Sequence, residues 1–268
     1  MNKKYKLGFC GFGKMASAIL NSIVSAGLIL PDEVCFFSPR YADGSLSNET
    51  DFNLVKSNAE VFANSDIVFL GFKPQNFPDA IEGIKAHDEQ LVVSIMAGVK
   101  IADIEAQVGG QVVRVMPNIC CLVGHLAGAI TFGHNVSVMG ALAVRNLIGI
   151  GGVVVEVSED ELEEATGISG SGPAFVAYLV ESFIQAGIAA GMDREIAKSL
   201  TLKTFAGTAE LLMKTDITTG QLIDMVSSPN GTTVAGRSVL EPSDVRETLK
   251  QTIAKAIQRS KELGQRNC

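Results

Sequence analysis

The chain has 268 residues, 47% of them hydrophobic and 19% charged, which is enough apolar material for a sizeable core and enough length for two domains. A formal net charge of −7 without a long basic run argues against nucleic acid or an anionic membrane surface as partner, so a small anionic ligand needs a local well of positive potential. Five cysteines, Cys10, Cys35, Cys120, Cys121 and Cys268, show no CxxC spacing, which points to reduced thiols and a cytoplasmic setting.

The first predicted strand, Tyr5–Cys10, runs into Gly11-Phe12-Gly13-Lys14-Met15-Ala16. Met15, Ile19, Ile23 and Val24 then share one face of a helix that ends near Gly27. Strand, glycine turn and helix in this order form a dinucleotide-binding unit. Gly11 permits the sharp turn, Gly13 lets backbone amides approach a pyrophosphate, and Ala16 is small enough for the helix to pack closely on the strand. The positive end of the helix favours the anion. Lys3-Lys4 and the apolar stretch to Leu30 imitate a secretory signal, but Lys14 and the glycine turn interrupt it.

A second strand, Glu33–Phe37, ends in Ser38-Pro39-Arg40. An acid roughly 20 residues beyond the glycines binds a ribose 2′-hydroxyl in NAD-specific folds, whereas an arginine there suits a 2′-phosphate. The acid is missing and Arg40 is present, so the expected cofactor is NADPH, with NADH a weaker alternative. Tyr41–Asp51 reads as a loop, Phe52–Val55 as a short strand, Asn58–Ala63 as a helix and Asp66–Leu70 as a buried strand. Lys73-Pro74 follows its carboxyl end; Lys73 is either a solvated loop residue or part of a cofactor and substrate pocket. The pattern repeats with Leu91–Ile95 and the Ala97-Gly98 turn, a helix over Ile101–Val108, and the strand Val112–Val115 leading to Asn118. Gly128–Phe132 and Val153–Val157 close the series around a helix over Ser137–Ile148. Arg145 and Asn146 are too costly for Val138–Val157 to be a membrane span. Alternating strands and helices imply an α/β fold with a doubly wound parallel sheet.

From Asp160 onward strand signals stop, so the expected domains are 1–159, binding the dinucleotide, and 160–268, all helical. Pro173–Gly191 is apolar almost all round and must be covered on more than one side. Further helices follow over Arg194–Met213, Gln221–Val226 and Val234–Leu240, and the last runs from about Ser243 to Leu263 and stops at Gly264. The three histidines fall in unrelated loops with no Cys or carboxylate at ligand spacing, so no metal is expected. Cys120-Cys121 reads as small buried filler.

Two stretches of the helical half carry a resemblance: Thr166-Gly167-Ile168-Ser169-Gly170-Ser171-Gly172-Pro173-Ala174-Phe175, and Val226-Ser227-Ser228-Pro229-Asn230-Gly231-Thr232-Thr233-Val234-Ala235-Gly236. With the N-terminal turn they resemble the pyrroline-5-carboxylate reductases, which make proline by reducing a cyclic imine with NAD(P)H. The resemblance implies a Rossmann domain and a helical dimerisation domain, joined in a homodimer or a higher oligomer built from dimers. Position by position, it implies that Ser228, Gly231, Thr232 and Thr233 hold the substrate, with Thr233 and Ser228 catalytic. It likewise implies that Gly11, Gly13, Lys14, Met15, Ser38, Arg40, Lys73, Pro74, Ala97, Gly98 and Asn118 lie along the cofactor. After Asn118 the pattern departs: Ile119-Cys120-Cys121 and Gly124-His125-Leu126 stand where the family has Thr-Pro-Ala and Gly-Glu-Gly. Asn230 replaces a usual glycine but tolerates the left-handed region.

The chemistry suits these residues. Hydride delivery to C=N needs a dry, oriented site more than a strong acid. Amides around Gly231–Thr233 at a helix start suit a carboxylate, and a threonine hydroxyl suits the ring nitrogen. Taken alone, Ser228-Pro229 is an ordinary N-cap. Other readings are another imine reductase or a β-hydroxyacid dehydrogenase on the same two-domain plan, the latter's long-helix lysine being absent from Pro173–Gly191, and a nucleotide-sensing or scaffold protein that binds NADP without turnover.

Overall fold

Continuous apolar runs become the central strands, buried on both faces, and the amphipathic stretches between them cover those faces, whereas the last strand, Gly152–Glu156, leaves Val153 and Val155 exposed. The computed structural model describes residues 4–45 and 50–265. Its elements are β1 (Tyr5–Cys10), α1 (Lys14–Ser25), β2 (Val34–Phe37), α2 (Pro39–Ala42), β3 (Asn53–Leu54), α3 (Asn58–Asn64), β4 (Ser65–Leu70) and α4 (Phe77–Ala80). Then come β5 (Leu91–Ser94), α5 (Ile101–Val108), β6 (Gln111–Met116), β7 (Leu126–Phe132), α6 (Val138–Gly149) and β8 (Gly152–Glu156). The remainder is helical: α7 (Glu161–Ala165), α8 (Gly172–Ala189), α9 (Arg194–Lys214), α10 (Thr219–Met225), α11 (Thr232–Leu240) and α12 (Val245–Gln265).

The eight strands form one sheet in the order β3-β2-β1-β4-β5-β6-β7-β8. Its register levels the carboxyl ends of the first parallel strands: Cys10 pairs with Phe37 and Leu70, and Leu70 pairs with Ser94. The sheet is not wholly parallel, because β7 runs antiparallel to β6. Residues 117–125 are too few for the crossover of a dozen or more residues that parallel strands need. A 3₁₀ turn over Ile119–Val123, closed by Gly124 at φ 73°, sends the chain straight back instead.

One core cluster packs Phe9, Phe36, Phe69 and Val93 beneath α1 and α6, with the Phe9 and Phe69 rings stacked at 4.7 Å. The opposite face joins Cys10, Cys35, Val68, Leu70 and Val92 to residues of α3 to α5. Three local expectations need correction. Pro39–Ala42 is one helical turn, so the loop expected from Tyr41 begins after Ala42, and its residues 46–49 lie outside the described ones. The last helix runs past Gly264 to Gln265. An added helical run, α7 and a π-helical turn over Thr166–Gly170, precedes α8.

The chain forms two compact units: the residues up to Pro173 together with those from Ala254 onward, and Ala174–Ile253. Within the second unit, Asp193 caps α9 through the amides of Glu195 and Ile196 at 2.9 and 3.2 Å. Gly187 lets α8 approach α9 closely, since a Cβ there would lie 3.1 Å from that of Ala197. Phe183 meets Phe205 edge to face at 5.1 Å. Of α8, the single chain buries Ile184 and leaves Tyr178 76% and Phe183 58% exposed. The run Glu161–Ala189 has the length and apolarity of a membrane span, and its most apolar 18-residue stretch is almost wholly unburied within the chain.

Candidate functional site

The ends of β1, β2, β4, β5 and β6 deliver to one edge of the sheet the residues expected to face a dinucleotide. At the tip of β1, Gly11 has φ 85° and its amide donates to Phe37 O at 2.8 Å. A Cβ at Gly11 would lie 2.9 Å from the Phe72 nitrogen, so backbone fills that space. Gly13, the N-cap of α1, has no heavy atom within 4 Å of where a Cβ would be. It supplies no side-chain oxygen to the helix, and no acidic residue stands in the first turn. The first amides at the positive end of α1 are therefore uncapped by a side chain and unopposed by an acid, which suits an anion. Ala16, 1% exposed, makes the close packing possible: a Cβ on Gly71 would lie 3.1 Å from its own. These features fit the pyrophosphate of a dinucleotide.

Lys14 is exposed at the start of α1, with Met15 half-buried beside it. Beyond β2, Ser38 is buried and Arg40 exposed on α2. Lys73, exposed, and Pro74 follow β4, while Ala97 and Gly98, the latter at φ 77°, follow β5. Lys14, Arg40 and Lys73 thus place positive charge along this edge of an acidic chain. The thiols at the edge do not add nucleophiles: burial, and then Cys35, push Cys10 well above the ordinary thiol range. Burial likewise pushes Cys35 up to about 11.

Asn118, at the tip of β6, is 5% exposed, and its carboxamide is committed to backbone. Nδ2 donates to Ser169 O at 3.1 Å, and Oδ1 accepts the Ala127 amide at 3.2 Å. The divergent segment after it folds as the 3₁₀ turn against α1, where Cys121 is 3% exposed and its carbonyl accepts the Ser22 hydroxyl at 3.0 Å.

In the second unit, Ser228, Gly231, Thr232 and Thr233 come together at the start of α11. The Gly231 amide donates to Ser228 O at 2.9 Å across Pro229 and Asn230. Asn230 has φ 60°, and proline followed by a positive φ is the pattern of a type II turn. A side chain on Gly231 would collide with Ser228 Oγ, which lies over the turn. Gly231 caps α11 with no side-chain bond, and no acid stands in its first turn. With the Gly231 amide spent on Ser228 O, the Thr232 and Thr233 amides and hydroxyls are available to an anion. Arg237 braces the turn by donating to Ser227 Oγ at 3.0 Å.

The sequence reading did not single out Glu159 and Glu163, which pair with the buried Arg114, or Ser260, which donates to Glu163. An arginine inside the apolar strand Val112–Met116 was the available signal, because such a charge must find partners.

Comparison with known proteins matches residues 159–263 to the family described as pyrroline-5-carboxylate reductase dimerisation. Residues 6–98 match an NADP oxidoreductase family, coenzyme F420-dependent. The chain is 35% identical to pyrroline-5-carboxylate reductase from Methanosarcina acetivorans, with 97% of this chain and 98% of the relative covered. Identity to the enzyme of the same name from Arabidopsis thaliana is 34%, covering 98% and 97%. The fold superposes on the crystal structure of Plasmodium falciparum pyrroline carboxylate reductase with NADP bound, at TM-score 0.85 and 32% identity, over 98% of this chain and 99% of that one. A bare anion cradle in each unit and full-length likeness to these enzymes lead to one conclusion: the chain belongs to the pyrroline-5-carboxylate reductase family.

Proposed function

We propose that this chain reduces 1-pyrroline-5-carboxylate to L-proline at the expense of NADPH, the last step of proline formation. The observation that carries the reading is the uncapped, acid-free start of α11 behind the Ser228–Gly231 turn. It suits a small ring bearing a carboxylate, and the relatives named above carry this activity in their names. NADPH, when bound, supplies the hydride. Gly11, Gly13, Lys14, Met15, Ser38, Arg40, Lys73, Pro74, Ala97 and Gly98 are the residues that would hold it, through free amides, positive charge and small side chains. Arg40 favours the 2′-phosphate, which makes NADH the weaker donor. The amides of Thr232 and Thr233 and the Ser228 hydroxyl hold the carboxylate, while Gly231, whose own amide closes the turn on Ser228 O, leaves room for it. The Thr233 hydroxyl hydrogen-bonds the ring nitrogen and stabilises its changing charge.

In this reading, 1–159 is the dinucleotide domain and 160–268 the helical dimerisation and substrate domain, which agrees with the family match that begins at residue 159. A second copy covers the apolar surface of α8, and the protein acts in the cytoplasm as a homodimer or an oligomer of dimers. The deciding assay follows NADPH oxidation with and without 1-pyrroline-5-carboxylate and identifies the product. Oxidation dependent on the imine, with proline formed, is expected; binding of NADPH without turnover would overturn the reading.

A further inference from the structure

We infer that Asn118 is a positioning residue of this site: its side chain latches the π turn Thr166–Gly170 onto the ends of β6 and β7, with both of its polar atoms bonded to backbone. The inference rests on the reductase reading only for its kinetic consequences. Asn118 has extended backbone (φ −129°, ψ 164°), so it continues the alternation of β6, with Arg114, Met116 and Asn118 on one face. All three meet the same helical run. Arg114 Nη2 pairs with Glu163 Oε1 of α7 at 3.1 Å. Met116 packs with Leu162 of α7 and Ala129, and Ala97 and Ala165 pack against that cluster. Its sulfur lies 3.6 Å from where a Cβ on Gly170 would be. Asn118 completes the row at Ser169.

The sequence explains why the latch is needed there. A helical carbonyl normally receives the N–H four residues on, and for Ser169 that residue is Pro173, which has none. The turn itself closes one residue wide, with the Ser171 amide donating to Thr166 O at 2.9 Å. Asn118 Nδ2 takes the place of the missing donor. On its other side, Met116 pairs with Ala129, so the next position of that face is opposite Ala127. Oδ1 accepts the Ala127 amide and so adds one more rung between β6 and β7. One buried carboxamide, satisfied at both ends, thereby fixes a π turn beside the carboxyl ends of β5 and β6, where dinucleotides lie in such sheets.

The test is Asn118→Asp, which keeps size and the acceptor for Ala127 but replaces the Nδ2 donor by an oxygen facing the Ser169 carbonyl. Amide exchange of residues 166–172 in the free protein should accelerate while β1 and β4 stay protected. Because a small misplacement of the site suffices, kcat with NADPH and 1-pyrroline-5-carboxylate should fall on the order of 10- to 100-fold. The dissociation constant for NADPH should stay within about threefold, as for a group that is not part of ground-state cofactor binding. Adding Pro173→Ala restores a backbone N–H for Ser169 and should slow the exchange again and recover part of kcat. Weakened NADPH binding with unchanged exchange would overturn the inference and return Asn118 to the cofactor; wild-type kcat and exchange would overturn it outright. If Asn118→Asp does not fold, Asn118→Ser, which shortens the reach without adding charge, takes the same readouts. A wild-type chain that never oxidises NADPH with the imine defeats the reductase reading, while the exchange experiment still decides the latch.

Discussion

Arg114 Nη1 lies 2.9 Å from Glu159 Oε1, and that same oxygen accepts the Ile101 amide at 2.7 Å. The guanidinium, 1% exposed, reaches Glu163 Oε1 with Nη2 at 3.1 Å, and Glu163 Oε2 accepts the Ser260 hydroxyl of α12. One strand side chain thus ties the start of α5, α7 and the end of α12 to the sheet. Arg114→Ala leaves two carboxylates facing a cavity, and breaking such a buried pair costs about 3–5 kcal/mol. Denaturant unfolding should show a loss of this size. A shift under about 1 kcal/mol, typical of exposed pairs, would mean that the group is solvated.

Gly11 and Gly13 should separate fold from binding. Gly11→Ala meets both a positive φ and the Phe72 backbone nitrogen, so it should lower stability by about 1–3 kcal/mol as well as weaken NADPH binding. Gly13→Ala enters open space at φ −94° and should leave the unfolding midpoint unchanged while weakening NADPH binding. Equal loss of stability in both would contradict the geometry of the turn.

Arg40 is exposed on α2, within charge-interaction range of Asp43 at that helix's C-cap, and no acid stands at the tip of β2 itself. Arg40→Ala should raise the KM for NADPH about 10- to 100-fold, the worth of charge-assisted hydrogen bonds of about 1.5–3 kcal/mol, and leave NADH nearly unchanged. Steady-state kinetics with each cofactor checks this; equal effects on both would remove Arg40 from phosphate recognition.

Thr233 is half-buried in the first turn of α11. Thr233→Ala should reduce kcat/KM for the imine on the order of 10- to 100-fold, Thr233→Ser much less, and neither should alter the NADPH dissociation constant. An alanine variant with wild-type efficiency would exclude the hydroxyl from the reaction.

Tyr178, Phe183 and Leu200 are each more than half exposed in the single chain. Apolar surface of this extent marks an interface. Sedimentation at nanomolar concentration should show a dimer, and Phe183→Asp should shift it towards monomer with loss of activity. A folded, active monomer would be inconsistent with the dimer.

Local rules made much of this architecture legible in the sequence. Tyr5–Cys10 and Ile101–Val108 were read to the residue because alternation and periodicity are properties of a few neighbouring side chains. The glycine turn was legible because Gly11 at positive φ and Gly13 beside open space are demands that only backbone chemistry explains. The start of α11 showed itself through Pro229, Gly231 and two threonines, although the substrate and catalytic roles expected of it came from family likeness. The direction of β7 was in principle also readable, since 117–125 is too short for a crossover. Only the tertiary structure decided which partners meet across long stretches of chain: Arg114 with Glu159 and Glu163, Glu163 with Ser260, and Asn118 with Ser169. A buried charge or an orphaned carbonyl announces from the sequence that it needs a partner, but packing between distant segments determines which residue answers.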